Sequence, residues 1–305
     1  MPQAREIKSR IANIKDIKQI TKAMNAIAMA KVTRLKNKIE KARPYQETIN
    51  SKLRLLLENE LRGESDEEET ISPLLEEGNG DKTGLVLFNS DRGLSGNYTI
   101  DLNRSARDFI NSREDDVKLF AGGEKAYTFF RRWDQLAGSW VDFYQEPDFS
   151  KAEAMGKELL DEFLEGEIRE LWVIYMQFYS DLRQELKVEK LLPLSPSETD
   201  EADREESEET PQPGSNTEEY IFEPEKEDIL ANFLREWFME KVFWVVINTK
   251  ASEHAIRRKA MRDATDNANE LIDDLTLTYN KARQQQITRE IADIIGGAEA
   301  LREEA

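Results

Sequence analysis

The sequence predicts a mixed α+β chain: a long antiparallel coiled coil made from its two ends, plus a central Rossmann-like α/β domain. At both ends, helix-forming residues run almost unbroken, with apolar side chains at steps of three and four. Between residues 84 and 194, short apolar runs alternate with amphipathic stretches. Charge is segregated as well. Residues 1–54 hold fourteen Lys/Arg against four Asp/Glu, a local balance of +10 inside a chain of net charge −19. A basic helical end on an acidic chain points to nucleic acid, anionic lipid or an acidic protein surface as partner.

The first element spans residues 3–57. Ile7, Ile11, Ile14, Ile17, Ile20, Met24 and Ile27 form a stripe on one helical face, predicted as core. Pro44 removes one backbone donor, so a bend is expected near Arg43–Pro44 rather than a stop. A helix of this length reaches roughly 80 Å at ~1.5 Å per residue. Residues 61–83 are acidic and carry Gly and Pro, which predicts a linker between a 1–60 helix and an 84–194 domain.

Within that domain, "GLVLF" (84–88), "VKLFAG" (117–122) and "ELWVIYMQF" (170–178) predict buried strands, with another near "SWVDFY" (139–144). Helices are predicted over 100–112, 124–133 and 151–166. "QELKVEKLLPL" (184–194) reads as an edge strand ended by Pro193. The alternation implies a largely parallel sheet. Residues 195–219 form an acidic linker, with eight carboxylates and one Arg between Glu198 and Glu209. Such a block repels itself and buries nothing, which predicts a disordered, solvated spacer.

From 220 to 305 the pattern is helical again. Ala264, Ala268, Leu271, Leu275 and Ala282 supply a small-residue inner face, followed by Ile287, Ile291 and Ile294. Small contact residues bring paired helix axes toward the low end of the ~8–10 Å range, so the pair is expected to be slender.

The composition excludes several chemistries. There is no cysteine, hence no disulfide, thiolate nucleophile or Cys-based metal site, and His254 is the only histidine. No metal or cofactor is expected. No run approaches the ~18–20 apolar residues of a membrane span, so a cytosolic or membrane-peripheral location is expected. "SDRGLSG" (90–96) lacks both dinucleotide and P-loop spacing and reads as a strand-to-helix turn, with Asp91 and Arg92 as a local ion pair. His254 reads as structural or surface, and "RRK" (257–259) as a solvated face. No acid–base constellation is visible. From residues alone, a basic coiled-coil nucleic-acid binder and a Rossmann-type nucleotide-binding enzyme stay open. The lack of aromatics before Tyr45 weighs against the first, and the missing glycine fingerprint against the second.

"EIKSRIANIKDIKQITKAMNAIAMAKV" with "ARPYQETI" resembles the N-terminal helix of the γ subunit of F-type ATP synthases. "SDRGLSGNY", "VEKLLPL", "EYIFEP" and the stretch from "ASEHAIRRKAMRDATDNANELI" to "GGAEAL" fit that family in order and spacing. The resemblance implies a non-catalytic central shaft inside an α3β3 ring, coupling ion-driven rotation of a membrane ring to ATP synthesis or hydrolysis. It implies α, β, ε and c-ring partners, no nucleic acid and no transmembrane segment of its own. It places the chain on the cytoplasmic side of a bacterial energy-coupling membrane, or the stromal or matrix side of an organelle equivalent. By the same resemblance, Lys22, Met24, Arg283 and Gln284 would touch β loops. Ile287, Ile291 and Ile294 would sit in an apolar bearing. Asp91 and Arg92 would make a loop contact, and Tyr220, Phe222 and Glu223 would face the membrane ring. Three stretches depart from the family pattern. The chloroplast cysteine pair is absent after "LLPLSP". "SGNYT" replaces a "GGFN"-like turn, and "FWVVINTKASEH" is bulkier than the usual "ALLESLASEH".

Overall fold

The computed structural model describes residues 2–62, 72–194 and 226–303. The acidic block 198–209 and the expected ring-facing Tyr220, Phe222 and Glu223 lie outside these residues.

Helix α1 (Pro2–Arg62) continues through Pro44. Then follow β1 (Thr83–Phe88), α2 (Tyr98–Ser112), β2 (Val117–Gly122), α3 (Glu124–Phe130), β3 (Leu136–Trp140), α4 (Phe149–Leu164), β4 (Glu170–Phe178), β5 (Gln184–Leu192) and α5 (Lys226–Glu303). The sheet order is β3-β2-β1-β4-β5. The first four strands are parallel and β5 pairs antiparallel with β4. Every residue of β1 is buried, as a strand flanked on both edges and covered on both faces requires. The charged, half-buried β5 closes one edge.

The strand order reverses between β1 and β4, and the helices divide accordingly. One face is covered by α2 and α3 through Tyr98, Leu102, Ala106, Ala126 and Phe130. The other is covered by α4 through Met155, Leu159 and Phe163, together with segments of α1 and α5. The third strand is 136–140 rather than 139–144. Tyr144 lies beyond it, buried, donating to the Asn89 carbonyl at 2.6 Å. The described part of the 61–83 linker is packed: Leu74 is buried and its carbonyl accepts from Leu194 N at 2.9 Å.

By compactness the chain divides into Lys31–Ile256 and a smaller unit of Met1–Ala30 with Arg257–Ala305. The division cuts both long helices, where the sequence placed boundaries at 60/61 and 219/220. The reason is visible in the larger unit. Ile49 and Leu53 of α1 join Leu230, Leu234 and Trp237 of α5 in the sheet's own core. Val32, Leu35 and Ile39 pack with Ile247, Ala251 and Ala255. Rising numbers on α1 meet falling numbers on α5, so the helices run antiparallel, and a bond from Trp237 Nε1 to Asn50 Oδ1 (2.8 Å) fixes their register.

Candidate functional site

In a doubly wound sheet, ligands bind outside the carboxyl ends of the strands at the point where the order reverses. Here that place, beyond β1 and β4, is filled by the chain's own α5. Ser252 Oγ donates to the Met176 carbonyl (3.0 Å), Phe178 N donates to Asn248 Oδ1 (3.3 Å), and Tyr98 Oη donates to the Thr249 carbonyl (3.2 Å). Asn248, Thr249 and Ser252 are fully buried. The geometry explains why the fold carries no glycine fingerprint: the crevice is a helix seat.

A buried ion cluster locks the seat. Lys250 Nζ lies 3.2 Å from Asp91 Oδ2 and 2.8 Å from Glu253 Oε2, with all three side chains at most 4% exposed. It also sits 4.4 Å from the Tyr144 ring centroid, in cation–π range. Asp91 Oδ1 accepts the backbone N–H groups of Glu124 and Asp142, each at 3.1 Å, so the carboxylate ties three loops together. Burial holds the Tyr144 hydroxyl well above the ordinary tyrosine range, with Tyr98 and the charge of Asp91 adding to it. Gly123, at φ +93, allows the close pass: a Cβ there would come within 2.5 Å of the Asn89 oxygen.

The expectation that Asp91 contacts a partner is therefore revised. Its carboxylate is spent inside the chain, on Lys250 and two amides. Arg92 is exposed and engaged in interactions of its own. His254 is buried, beside Lys31, Arg34, Lys38 and Glu146. Arg257, expected in solvent, is 7% exposed, whereas Lys259 is exposed as predicted. No group of three or more metal-capable side chains occurs among the described residues.

In the smaller unit the two chain ends pair. The α1 seam is not the stripe read from sequence. Ile7, Ile11 and Ile14 belong to it, but the inward positions then continue as Lys18, Thr21, Asn25 and Ala28. Ile17, Ile20 and Ile27 are 54%, 59% and 60% exposed. Steps of four and three from residue 7 hold the seam to a 3.5-residue period, the left-handed coiled-coil repeat. On α5 the inward set is Met261, Thr265, Ala268, Ile272, Leu275, Tyr279 and Ala282, while Leu271 faces out.

Across this seam Thr21 Oγ1 lies 2.7 Å from Thr265 Oγ1. Each hydroxyl also reaches a carbonyl of its own helix, Lys18 O at 3.0 Å and Met261 O at 2.7 Å. Two protons cannot serve three contacts, so one back-bond yields whenever the cross-seam bond is made. Thr21→Val or Thr265→Val alone should cost about 1 kcal/mol, and the double variant less than the sum, because removing both partners leaves no orphan. Thermal unfolding of the four chains checks the cycle; strict additivity would show that the contact is not formed.

Of the residues predicted to meet partners, Lys22, Arg283 and Gln284 are exposed and Met24 is half-buried. Ile287, Ile291 and Ile294 are exposed despite their apolarity, as is Ile295. These isoleucines are not spent in the core of the described chain.

Comparison with known proteins adds the relatives. A family model described as ATP synthase matches residues 3–301. The ATP synthase gamma chain of Desulfitobacterium hafniense is 36% identical over 302 residues, covering 99% of this chain and all of that one. That of Halothermothrix orenii is 37% identical over 303 residues with the same coverage. Among solved structures, a chain of the central stalk/c-ring of the Tetrahymena thermophila mitochondrial ATP synthase superposes with a TM-score of 0.60 at 25% identity, over 80% of this chain and 99% of that one. A chain of the Euglena gracilis mitochondrial enzyme gives 0.63 at 18% identity over 98% and 94%, a likeness of fold.

Proposed function

The chain belongs to the ATP synthase gamma-chain family, and from that premise we propose that it is the non-catalytic central shaft of an F-type ATP synthase. The single observation that carries the reading is that the chain's own beginning pairs with its end segment, Thr21 meeting Thr265, through a seam that is small or polar at Thr21, Asn25, Ala28, Thr265 and Ala268. Small side chains keep such a pair thin, and hydrogen-bonded helices keep it stiff. The exposed isoleucines supply non-directional contact, which holds without pinning one orientation.

The partners are an α3β3 ring around the paired ends, with the ε subunit and the membrane ring at the α/β unit. The exposed Lys22, Arg283 and Gln284, with Met24, are the proposed contacts to β loops. Ile287, Ile291 and Ile294 are the proposed bearing surface, and Tyr220, Phe222 and Glu223 face the membrane ring. No helix among the described residues is long and apolar enough to cross a membrane. A peripheral place on the cytoplasmic side of a bacterial membrane follows from the role and from the bacterial relatives.

The test is reconstitution. Co-expressed with its α and β subunits, the chain should purify as one six-lobed ring with a central stalk, and a bead on the α/β unit should turn during ATP hydrolysis. A ring that purifies without this chain when all are co-expressed, or a bead that stays still while the ring hydrolyses ATP, would overturn the reading. Serine at Ile287, Ile291 and Ile294 together should leave the free chain's stability within ~0.5 kcal/mol per site, as exposed positions do. The same variant should lower the torque or the yield of the assembled ring. An unchanged ring would remove these three from the contact surface.

A further inference from the structure

A basic groove of about 740 Å³ opens between α2 and α3, away from the buried ion cluster. Arg104, Arg107, Lys125, Arg131 and Arg132 line it, and no carboxylate does. Arg107 is held by Asp108 at 2.9 Å. Arg104, Lys125, Arg131 and Arg132 meet no carboxylate among the described residues. The exposed side chains of Ile100 and Phe129 also line the groove. Four uncompensated cations converging on one groove repel one another, so the surface favours a polyanion.

We propose that the groove is a docking surface for the chain's own acidic segment 198–209. Charge is the first argument: eight carboxylates with one Arg in twelve consecutive residues match a lining whose charged side chains are all cationic. Tethering is the second. Residues 195–225 connect Leu194 to Lys226. At ~3.4 Å per extended residue, such a stretch reaches on the order of 50 Å out and back. From β5 the sheet is crossed to β1 in two strand spacings of ~4.8 Å. Val188 of the edge strand β5, six residues before Leu194, lines a neighbouring depression that shares Arg104, so this edge adjoins the face that carries the groove, within the segment's reach. A tether this close sets an effective concentration in the millimolar range, which no free acidic peptide matches at ordinary levels. The other acidic stretch, Glu64–Glu69, has five carboxylates and only residues 63–71 to span with, which gives it far less reach. Docking would cover the groove against acidic surfaces of other proteins, a competition set by salt.

The absence of cysteine makes the test direct. In the full chain, Thr128→Cys on the groove and Ser207→Cys in the segment carry spin labels, and the distance between them is measured at 50 mM and 1 M NaCl. Docking predicts a population within about 25 Å at low salt, reduced at least tenfold at high salt, where the screening length falls to ~3 Å. R104E/R131E/R132E should abolish it, and R104Q/R131Q/R132Q should weaken it. All three arginines are exposed, so both variants should keep the parent's circular dichroism. A distance distribution that ignores both salt and charge reversal overturns the proposal. So does the same short distance between singly labelled chains in a mixture, which makes the contact one between copies, or a short salt-sensitive distance from Glu67→Cys in its place.

Discussion

Lys250→Ala is expected to lower the unfolding free energy of the full chain by about 3–5 kcal/mol, the cost of removing one partner from a buried ion cluster. Asp91 and Glu253 would be left facing each other's charge at no more than 4% exposure. Water cannot reach them without lifting α5 from the sheet, because Ser252 and Asn248 hold the same turns to β4. Lys250→Met, which keeps most of the volume, should recover little, since packing is not what is lost. Adding Asp91→Asn and Glu253→Gln to Lys250→Met should recover at least half, because the uncompensated charge is then gone. The side-chain amide that Asp91→Asn introduces keeps an Oδ1, which can still accept the Glu124 and Asp142 amides. Urea unfolding followed by tryptophan fluorescence reads the series. A loss below ~1 kcal/mol for Lys250→Ala would mean the cluster is solvated. High salt should leave the loss unchanged, as screening acts on exposed charges.

Much of the architecture was legible because it is written in local periods. Five strands, three domain helices and two long terminal helices follow from short apolar runs and 3.6-residue periodicity, while β3 lies three to four residues earlier than read, α3 ends three residues earlier and α1 five residues later. The seam was misread for a definable reason. Two stripes share Ile7, Ile11 and Ile14 and then separate. One follows the isoleucines outward through Ile17, Ile20 and Ile27. The other keeps the 3.5-residue phase inward through Lys18, Thr21, Asn25 and Ala28. Hydrophobicity favours the first, and the phase that continues into the buried Val32, Leu35 and Ile39 favours the second. Within the smaller unit the inward phase prevails, with Thr21 and Ala28 buried on it. The helix seat left no local signal at all. Lys250 and Asp91 are 159 residues apart in sequence, and nothing around either one names the other.

The same continuous phase, carried backward along α5 from Ala251 and Ile247, passes through Glu240, a carboxyl on an otherwise apolar face. Glu240 is 4% exposed, and its Oε1 has no hydrogen-bond partner among the described residues. Burial pushes its pKa up to about 7 from an ordinary 4.5. Because the folded value lies above the unfolded one, the folded chain binds the extra proton. Its stability contribution is therefore fully present below pH 4.5, declines between pH 4.5 and 7, and is lost above about pH 7. A rise of that size corresponds to about 3 kcal/mol across the window, on the order of a large single-site effect. Glu240→Gln should flatten that part of the pH profile and stabilise the chain at pH 8 by about 2–3 kcal/mol, with little change at pH 4.5. The bond between Asn50 and Trp237 places Gln46 one turn along α1 in the direction that Glu240 lies along α5, and Gln46 Oε1 is likewise buried without a donor. A proton on Glu240 would supply the kind of donor this part of the seam lacks, and the glutamine amide at 240 would supply it at every pH. Thermal unfolding from pH 5 to 8.5 decides the matter: parallel profiles for parent and variant would show that Glu240 keeps its charge in contact with water, and that the seam there is looser than its burial implies.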